Sequence, residues 1–431
     1  MTDVLIIGGG LGGCAAALWL ADLGHSAVII EAQTRLGGRA LSRLWGDTDG
    51  DTGVVEYGGG WLRRDHACLL ALAARLGTGL QPRAPLLAQR WFRADAPAIA
   101  PSEDMAAHAA GMAQLQADAA LLAGDSAEAR HLQGLTVSAY VAFRALPQSV
   151  QREFMAWWAI SGSGDPDCIA VTELLTPKLE HGIMAKLEEL AFTVQGGMQS
   201  LITATAQASG AALRLGDPVI RLDTGSDRVA ATLQGGQVIT ARAALVAVPV
   251  NTLGQIDFAP ALSPPQQVLR QQGHAGRAVK LLIRARGVAP GTLATGETAG
   301  LRWIYADHLL PDGATLLVGF ALAADLPHPT EAAVARALAA AFPEAQLLGF
   351  DWHDWNADPF ARGTWVSPDL ASLPCYDPAH WTGQPRLAFA GSDHASAEQG
   401  WFEGALLSAR TAVDRLHQTL SQTPAQTEPA P

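Results

Sequence analysis

DVLIIGGGLGGCAAALWLADLGHSAVIIEA, residues 3–32, reads as a strand, a glycine-rich turn, a helix and a second strand. Gly8, Gly10 and Gly13 fit G-x-G-x-x-G directly after the apolar run. The first glycine permits a tight turn. The second lets backbone approach a pyrophosphate, and the third lets helix and strand pack closely. The helix then presents its unpaired N–H groups to the phosphates. Glu31 closes the second strand, roughly 20 residues on, where a carboxylate accepts from a ribose hydroxyl. A glycine-rich turn alone is weak evidence. Here strand, turn, helix, strand and acid fall in register, so the stretch reads as a dinucleotide-binding α/β unit. The fingerprint does not choose between FAD and NAD.

Length and composition bound what surrounds this unit. A chain of 431 residues calls for two or three domains. Hydrophobic residues make up 49%, ample for a large core. The net charge of -12 leaves no basic stripe to neutralise phosphates, which excludes nucleic acid as a partner. Cys14, Cys68, Cys168 and Cys375 lie far apart, without a C-x-x-C pair, and the histidines include no H-E-x-x-H or H-x-H. No metal is therefore expected. A strand begins within four residues of Met1, and no apolar run reaches membrane-spanning length. The tail, HQTLSQTPAQTEPAP, is polar and proline-rich. These features predict a cytoplasmic protein without a membrane anchor.

Further along, residues 62–77 read as helical, and 82–101, with four prolines, as irregular. Residues 102–190 read as Ala- and Leu-rich helices broken near Gly124, Pro147 and Gly162. From 192 strands return. RVAATLQGGQVITA reads as a hairpin turning on Gly235 and Gly236, and further strands are predicted at 278–286, 301–306, 315–322 and 346–355. TEAAVARALAAAF reads as a helix capped by Thr330.

EAQTRLGGRA follows the first unit at once and carries Gly37, Gly38 and Arg39. A second glycine pair with an arginine can clamp the same pyrophosphate, because the guanidinium fork binds phosphate bidentately. YGGGWL comes next, then FTVQGGMQSL, GDPVIRLD, ALVAVPVNTLGQIDFAP, DWNADPFARGTW and LAFAGSDHASAEQGWFEGALLSAR. This ordered set resembles the flavin-dependent amine oxidase family, which includes monoamine and polyamine oxidases. The match weakens over residues 85–190.

The resemblance implies an α/β fold. A Rossmann-like, doubly wound FAD-binding domain, discontinuous in sequence, would comprise residues 1–84, 192–272 and 385–420. A second α+β substrate domain would take a helical block from 85–191 and a sheet from 273–384, leaving 421–431 as a flexible tail. By similarity, Gly8, Gly10, Gly13, Gly38 and Arg39 face the FAD pyrophosphate, and Glu31 holds the adenosine ribose. Val219 pairs its backbone with adenine. Gly59, Gly60 and Trp61 lie beside the flavin ring, where glycine lets the chain come close, and Trp355 flanks it. Asp393, where the family usually has Glu, anchors the ribityl-phosphate portion. The N–H of Phe402, which opens the last helix, meets the flavin C2 carbonyl. Thr364 stands where some members link the flavin through a cysteine, so non-covalent FAD is expected.

Lys280 raises its own question. The whole chain has three lysines, Lys178, Lys186 and Lys280, and this one interrupts the apolar strand AVKLLI. A snorkelling lysine at a strand edge is the bland explanation. In the family, a lysine here reaches flavin N5 through a bridging water, and an ammonium whose pKa burial lowers suits that role. Trp365 and Trp401 occupy the family's two aromatic places beside the flavin, where ring faces steer a cationic amine.

The implied reaction takes a hydride from the carbon alpha to nitrogen to flavin N5 and leaves an imine. Oxygen would then accept the electrons as hydrogen peroxide, and water would hydrolyse the imine. The implied partners are a small-molecule amine and molecular oxygen, with a homodimer among the open assembly states. An L-amino acid oxidase is one alternative; it needs a buried arginine, for which Arg130, Arg144, Arg152, Arg63 and Arg64 are candidates. The others are a carotenoid-desaturase-like or protoporphyrinogen-oxidase-like flavoenzyme, and a flavoprotein without turnover.

Overall fold

The computed structural model describes residues 2–45, 53–93, 96–173, 175, 190–381 and 384–422. Lys178, Lys186 and nearly all of the tail expected at 421–431 lie outside the described residues. Two large sheets organise the rest. The first has eight strands. Its parallel part runs Ala212–Leu215, Ala27–Glu31, Thr2–Ile7 and Val238–Val246, with Leu387–Phe389 beside the end of the last. Thr2–Ile7, Ala27–Glu31 and the second half of Val238–Val246 become buried along their length and read there as Val, Ile, Leu and Ala, while the edge strand Ala212–Leu215 stays largely exposed. Helices Leu11–Asp22, Met198–Ser209 and Phe402–Gln422 cover one face. Helix Leu11–Asp22 is apolar all round because the sheet and two helices enclose it. Antiparallel strands Val229–Leu233 and Val219–Thr224 and helix Pro264–Gln272 pack against the other side. The predicted hairpin is present: Gly236 N–H donates to the Leu233 carbonyl at its turn. This is the doubly wound α/β fold, drawn from three separated parts of the chain.

The second sheet has seven strands, in the order Gln346–Trp352, Ala278–Arg286, Thr315–Leu322, Leu301–Leu309, Thr292–Thr298, Ala88–Arg93 and Ala96–Ala98. Side chains alternate across it. Along Ala278–Arg286, Val279, Leu281, Ile283 and Ala285 pack under helix Glu331–Ala341, while Leu282 joins the core on the opposite face. Lys280 shares that opposite face. Thr330 caps helix Glu331–Ala341 as predicted, its hydroxyl accepting from Ala333 N–H at 3.2 Å. The helical block over the other face comprises Met105–Leu121, Ala127–Gln133, Val137–Arg144 and Gln148–Ser161. Pro147 and Gly162 flank the last of these helices.

Three expectations change. The stretch read as helical from 62 opens with strand Leu62–Arg63, and the helix starts at Ala67. Residues 82–101 are not irregular: Ala88–Arg93 pairs in parallel with Thr292–Thr298, and Ala96–Ala98 forms the sheet edge. Strand Thr292–Thr298 itself, TLATGET, was not expected. Each case involves pairing with residues far off in the chain, Leu62–Arg63 with Leu190–Val194 and Ala88–Arg93 with Thr292–Thr298, and Pro97 sits on an edge strand that tolerates it. Among the described residues no helix is long and apolar enough to cross a membrane.

Candidate active site

A cavity of about 720 Å³ lies between the two sheets. Every predicted site residue lines it except Gly13. Gly13 sits beneath the turn, where a Cβ would come within 2.1 Å of the Gly8 carbonyl oxygen. Its task is close packing of helix on strand, not contact with a ligand. Gly8 turns the chain at φ +109°. Beside Gly10 the space is open, with no atom within 4 Å of an added Cβ. The N-terminus of helix Leu11–Asp22 thus faces the cavity unobstructed.

Glu31 closes this end. It is buried, and its carboxylate accepts from Gly9 N–H at 2.6 Å and Gln33 N–H at 2.8 Å. Burial pushes its pKa up, while those two N–H groups oppose the shift. Val219 opens its strand at the same end.

Arg39 and Asp393, predicted separately, meet. Arg39 Nη2 donates to Asp393 Oδ1 at 2.6 Å, and Nη1 donates to the Thr364 carbonyl at 2.7 Å. Asp393 is 1% exposed and accepts from Val250 N–H at its other oxygen. Burial alone would raise its pKa; Arg39 and His274 outweigh that and hold the carboxyl well below the usual carboxylate range. His274 is fully buried, its Nδ1 accepts from Gly276 N–H, and its Nε2 faces Asp393 Oδ2 at 4.0 Å. Burial pushes the His274 pKa down to about 3.

The middle of the cavity lies under Gly59, Gly60 and the start of helix Phe402–Gln422. Both glycines line the cavity, and neither has room for a side chain. A Cβ on Gly59 would meet the Phe402 ring at 2.8 Å, and one on Gly60 the Glu56 side chain at 2.4 Å. Protein groups already take that space. Trp355 is buried and donates its indole N–H to the Tyr57 carbonyl at 3.0 Å.

Lys280 projects from the second sheet into this region. Its ammonium donates to the carbonyls of Glu56 at 2.6 Å and Gly58 at 2.8 Å. Burial pushes its pKa down to about 8, against the pull of Glu56 and Asp307. Trp365 donates its indole N–H to the Ser161 carbonyl at 2.7 Å and meets Phe320 edge-on. Trp401 is 36% exposed and packs against His66 and Arg63. Trp61 stands among Trp303, Tyr305 and Phe320.

The arginines offered for a carboxylate are committed elsewhere. Arg144 pairs with Asp118 and Glu128, Arg130 with the Asp125 carbonyl, and Arg152 with the Pro101 carbonyl. Arg64 stacks on Phe192. Arg63 reaches the cavity but is buried and held by Asp65 and Glu398.

Several wall residues had no signal in the sequence. Phe320 is the cross-strand partner of Lys280, a relation visible only in the register. Trp157 and Ile160 come from the weakly matching helical block. The carbonyl cradle of Glu56 and Gly58 is backbone, which composition cannot reveal. Cys68 and Cys375 are unpaired like the other cysteines, and the described residues hold no group of side chains suited to a metal.

Comparison with known proteins fits this layout. The family model for flavin containing amine oxidoreductase matches residues 11–417. (S)-6-hydroxynicotine oxidase of Paenarthrobacter nicotinovorans is 31% identical, over 96% of this chain and 99% of its own length. Pseudooxynicotine dehydrogenase of a Pseudomonas species is 27% identical over 95% of this chain and 84% of its own. The solved cyclohexylamine oxidase from Brevibacterium oxydans superposes with a TM-score of 0.83, covering 97% of this chain and 99% of its own at 22% identity, which shows a common fold. The chain belongs to the flavin containing amine oxidoreductase family, as an FAD-dependent oxidoreductase acting on amine donors.

Proposed function

We propose that this chain oxidises apolar, ring-bearing amines to imines and passes the electrons to oxygen. The residues present fit FAD. The open space beside Gly10, the helix N-terminus, Arg39 and the Glu31 carboxylate suit a dinucleotide, and Thr364 offers no thiol for a covalent link. Bound FAD supplies the two-electron acceptor for the amine C–N bond.

The chain's own residues select and orient the substrate. Trp61, Trp157, Ile160, Phe320 and Trp365 wall the end of the cavity next to Lys280. That wall supports an apolar amine, and a dry aromatic slot favours its neutral, reactive form. The observation that carries the reading is the pairing of this wall with Lys280. Among the described residues, the two arginines that line the cavity, Arg39 and Arg63, both have acid partners. This weighs against an amino acid substrate, whose carboxylate would need an unpaired cation. Two of the three N–H groups of Lys280 are spent on carbonyls, which leaves one for a water or an oxygen species in the cavity. Its positive charge supports oxygen as acceptor, since a fixed cation stabilises developing negative charge.

The relatives named for hydroxynicotine and pseudooxynicotine, and the cyclohexylamine oxidase, supply the first substrates to try. The purified protein, mixed anaerobically with each, should lose its visible flavin absorbance with at least one, and oxygen should restore it with release of peroxide. A flavin that only amino acids bleach would overturn the substrate reading. A reduced flavin that persists in air would overturn the oxidase reading.

A further inference from the structure

We infer that the buried Arg83–Asp307 ion pair is a positioning device for the reaction: it fixes the Trp61 ring at the cavity wall with a cation whose effect on the nearby Lys280 ammonium is offset by its own carboxylate partner. The inference rests on the reading of Lys280 given above. Neither Arg83 nor Asp307 touches the cavity. Both are almost wholly buried, with side chains 4% and 5% exposed. Arg83 Nε and Nη2 donate to Asp307 Oδ1 at 2.9 and 2.6 Å, and Nη1 donates to the Leu190 carbonyl at 2.7 Å. The other Asp307 oxygen lies 2.9 Å from His308 Nδ1.

The guanidinium is stacked, not merely paired. Its central carbon is 4.2 Å from the Trp61 ring centroid and 5.1 Å from that of Tyr305. Lys280 Nζ is 5.7 Å from the same Trp61 ring. Trp61 is therefore bracketed by two cations and met edge-on by Tyr305, whose hydroxyl donates to the Ala84 carbonyl. An isolated buried ion pair gives little net stability over apolar residues of similar size. A pair that clamps an aromatic ring and faces a second ammonium has a use beyond stability.

Among the described residues, three charged groups act on Lys280: Glu56 from Val54–Glu56, Asp307 from Leu301–Leu309, and Arg83 from the segment after Leu80–Pro82. Glu56 and Asp307 favour the ammonium; Arg83 disfavours it. The members of the ion pair thus pull in opposite directions.

The test uses the scarcity of lysine. Holoenzyme labelled with 13Cε-lysine carries three labelled side chains, and Lys280→Met assigns the relevant one. Its Cε shift, followed against pH, should give a midpoint near 8. In Arg83→Met the midpoint should rise by about one unit, and in Asp307→Asn it should fall by about as much. The combined variant Arg83→Gln/Asp307→Asn should return close to the parent. Mere loosening would hydrate the ammonium and raise the midpoint in every variant, so a fall in Asp307→Asn is the signature. Midpoints that stay put, or that all rise, overturn the inference. Midpoints that move while the pH–rate limb stays overturn its link to the reaction. Should Arg83→Met fail to fold, Asp307→Asn and the combined variant carry the test. Failure of the Lys280 reading itself would look different: Lys280→Met would turn over like the parent.

Discussion

Two carbonyl oxygens, from Glu56 and Gly58, hold the Lys280 ammonium in place. A methionine there keeps the apolar stem and loses the donors. Lys280→Met is expected to retain FAD and to lower kcat by roughly 10²-fold, as measured by anaerobic flavin reduction and by reoxidation. The pKa near 8 lies below that of a lysine in an unfolded chain. Below about pH 8 the group is an ammonium in both states. Above it the folded protein releases the proton while the unfolded chain keeps it, so this residue's contribution to stability rises with pH from there. Activity should show a limb near pH 8 that Lys280→Met lacks. A pH–rate profile of both proteins checks this. The sequence made Lys280 conspicuous because lysine is rare here. It could not show Phe320 beside it, since that contact depends on the register between two strands. Nor could it show that Arg39 and Asp393, 354 positions apart, form one ion pair.

At the scale of elements, the glycine-rich turn was the most legible part of the chain. Its chemistry is local: strand, turn and helix follow within a few residues, and each glycine has a steric cause. Gly13→Ala would drive a methyl group to 2.1 Å from the Gly8 carbonyl oxygen. Backbone cannot yield there cheaply, so a loss of about 3 kcal/mol or more is expected, with flavin lost on purification. Denaturant unfolding and the ratio of visible to protein absorbance would measure both. Strands Ala88–Arg93 and Thr292–Thr298 were illegible for the opposite reason. Each pairs with the other, about 200 residues away in the chain, as well as with a strand close by in sequence. The helical block was readable as helices, but not as a wall, because nothing local marks Trp157 or Ile160 as facing the cavity.

For the molecule as a whole, two buried histidines work toward destabilisation in acid, while Glu31, Glu56 and Glu153, whose pKa values burial raises, work the other way. His274 and His394 are both buried, and burial pushes their pKa values down to about 3 and about 4. Below about pH 6.5 the unfolded chain takes up protons there that the folded protein refuses, so the stability these two residues contribute falls toward pH 4. Asp393 opposes nothing in this window, since Arg39 keeps it ionised throughout. The melting temperature of His274→Asn should therefore depend less steeply on pH between 6.5 and 4 than that of the parent. Equal slopes would show that His274 takes its proton without strain.

The parallel sheet draws on residues near both ends of the chain, and its last strand, Leu387–Phe389, and the helix from Phe402 come after everything else in the fold. A polypeptide leaving the ribosome therefore offers its glycine-rich turn to the cell long before the helix Phe402–Gln422 that packs on the following helix exists. Until the residues from 387 to 422 emerge, the nascent chain lacks Asp393, Trp401 and the helix that meets Gly59. A complete cofactor cavity is therefore expected only after helix Phe402–Gln422 has been made, and until then the apolar helix Leu11–Asp22 lacks one of the helices that cover it.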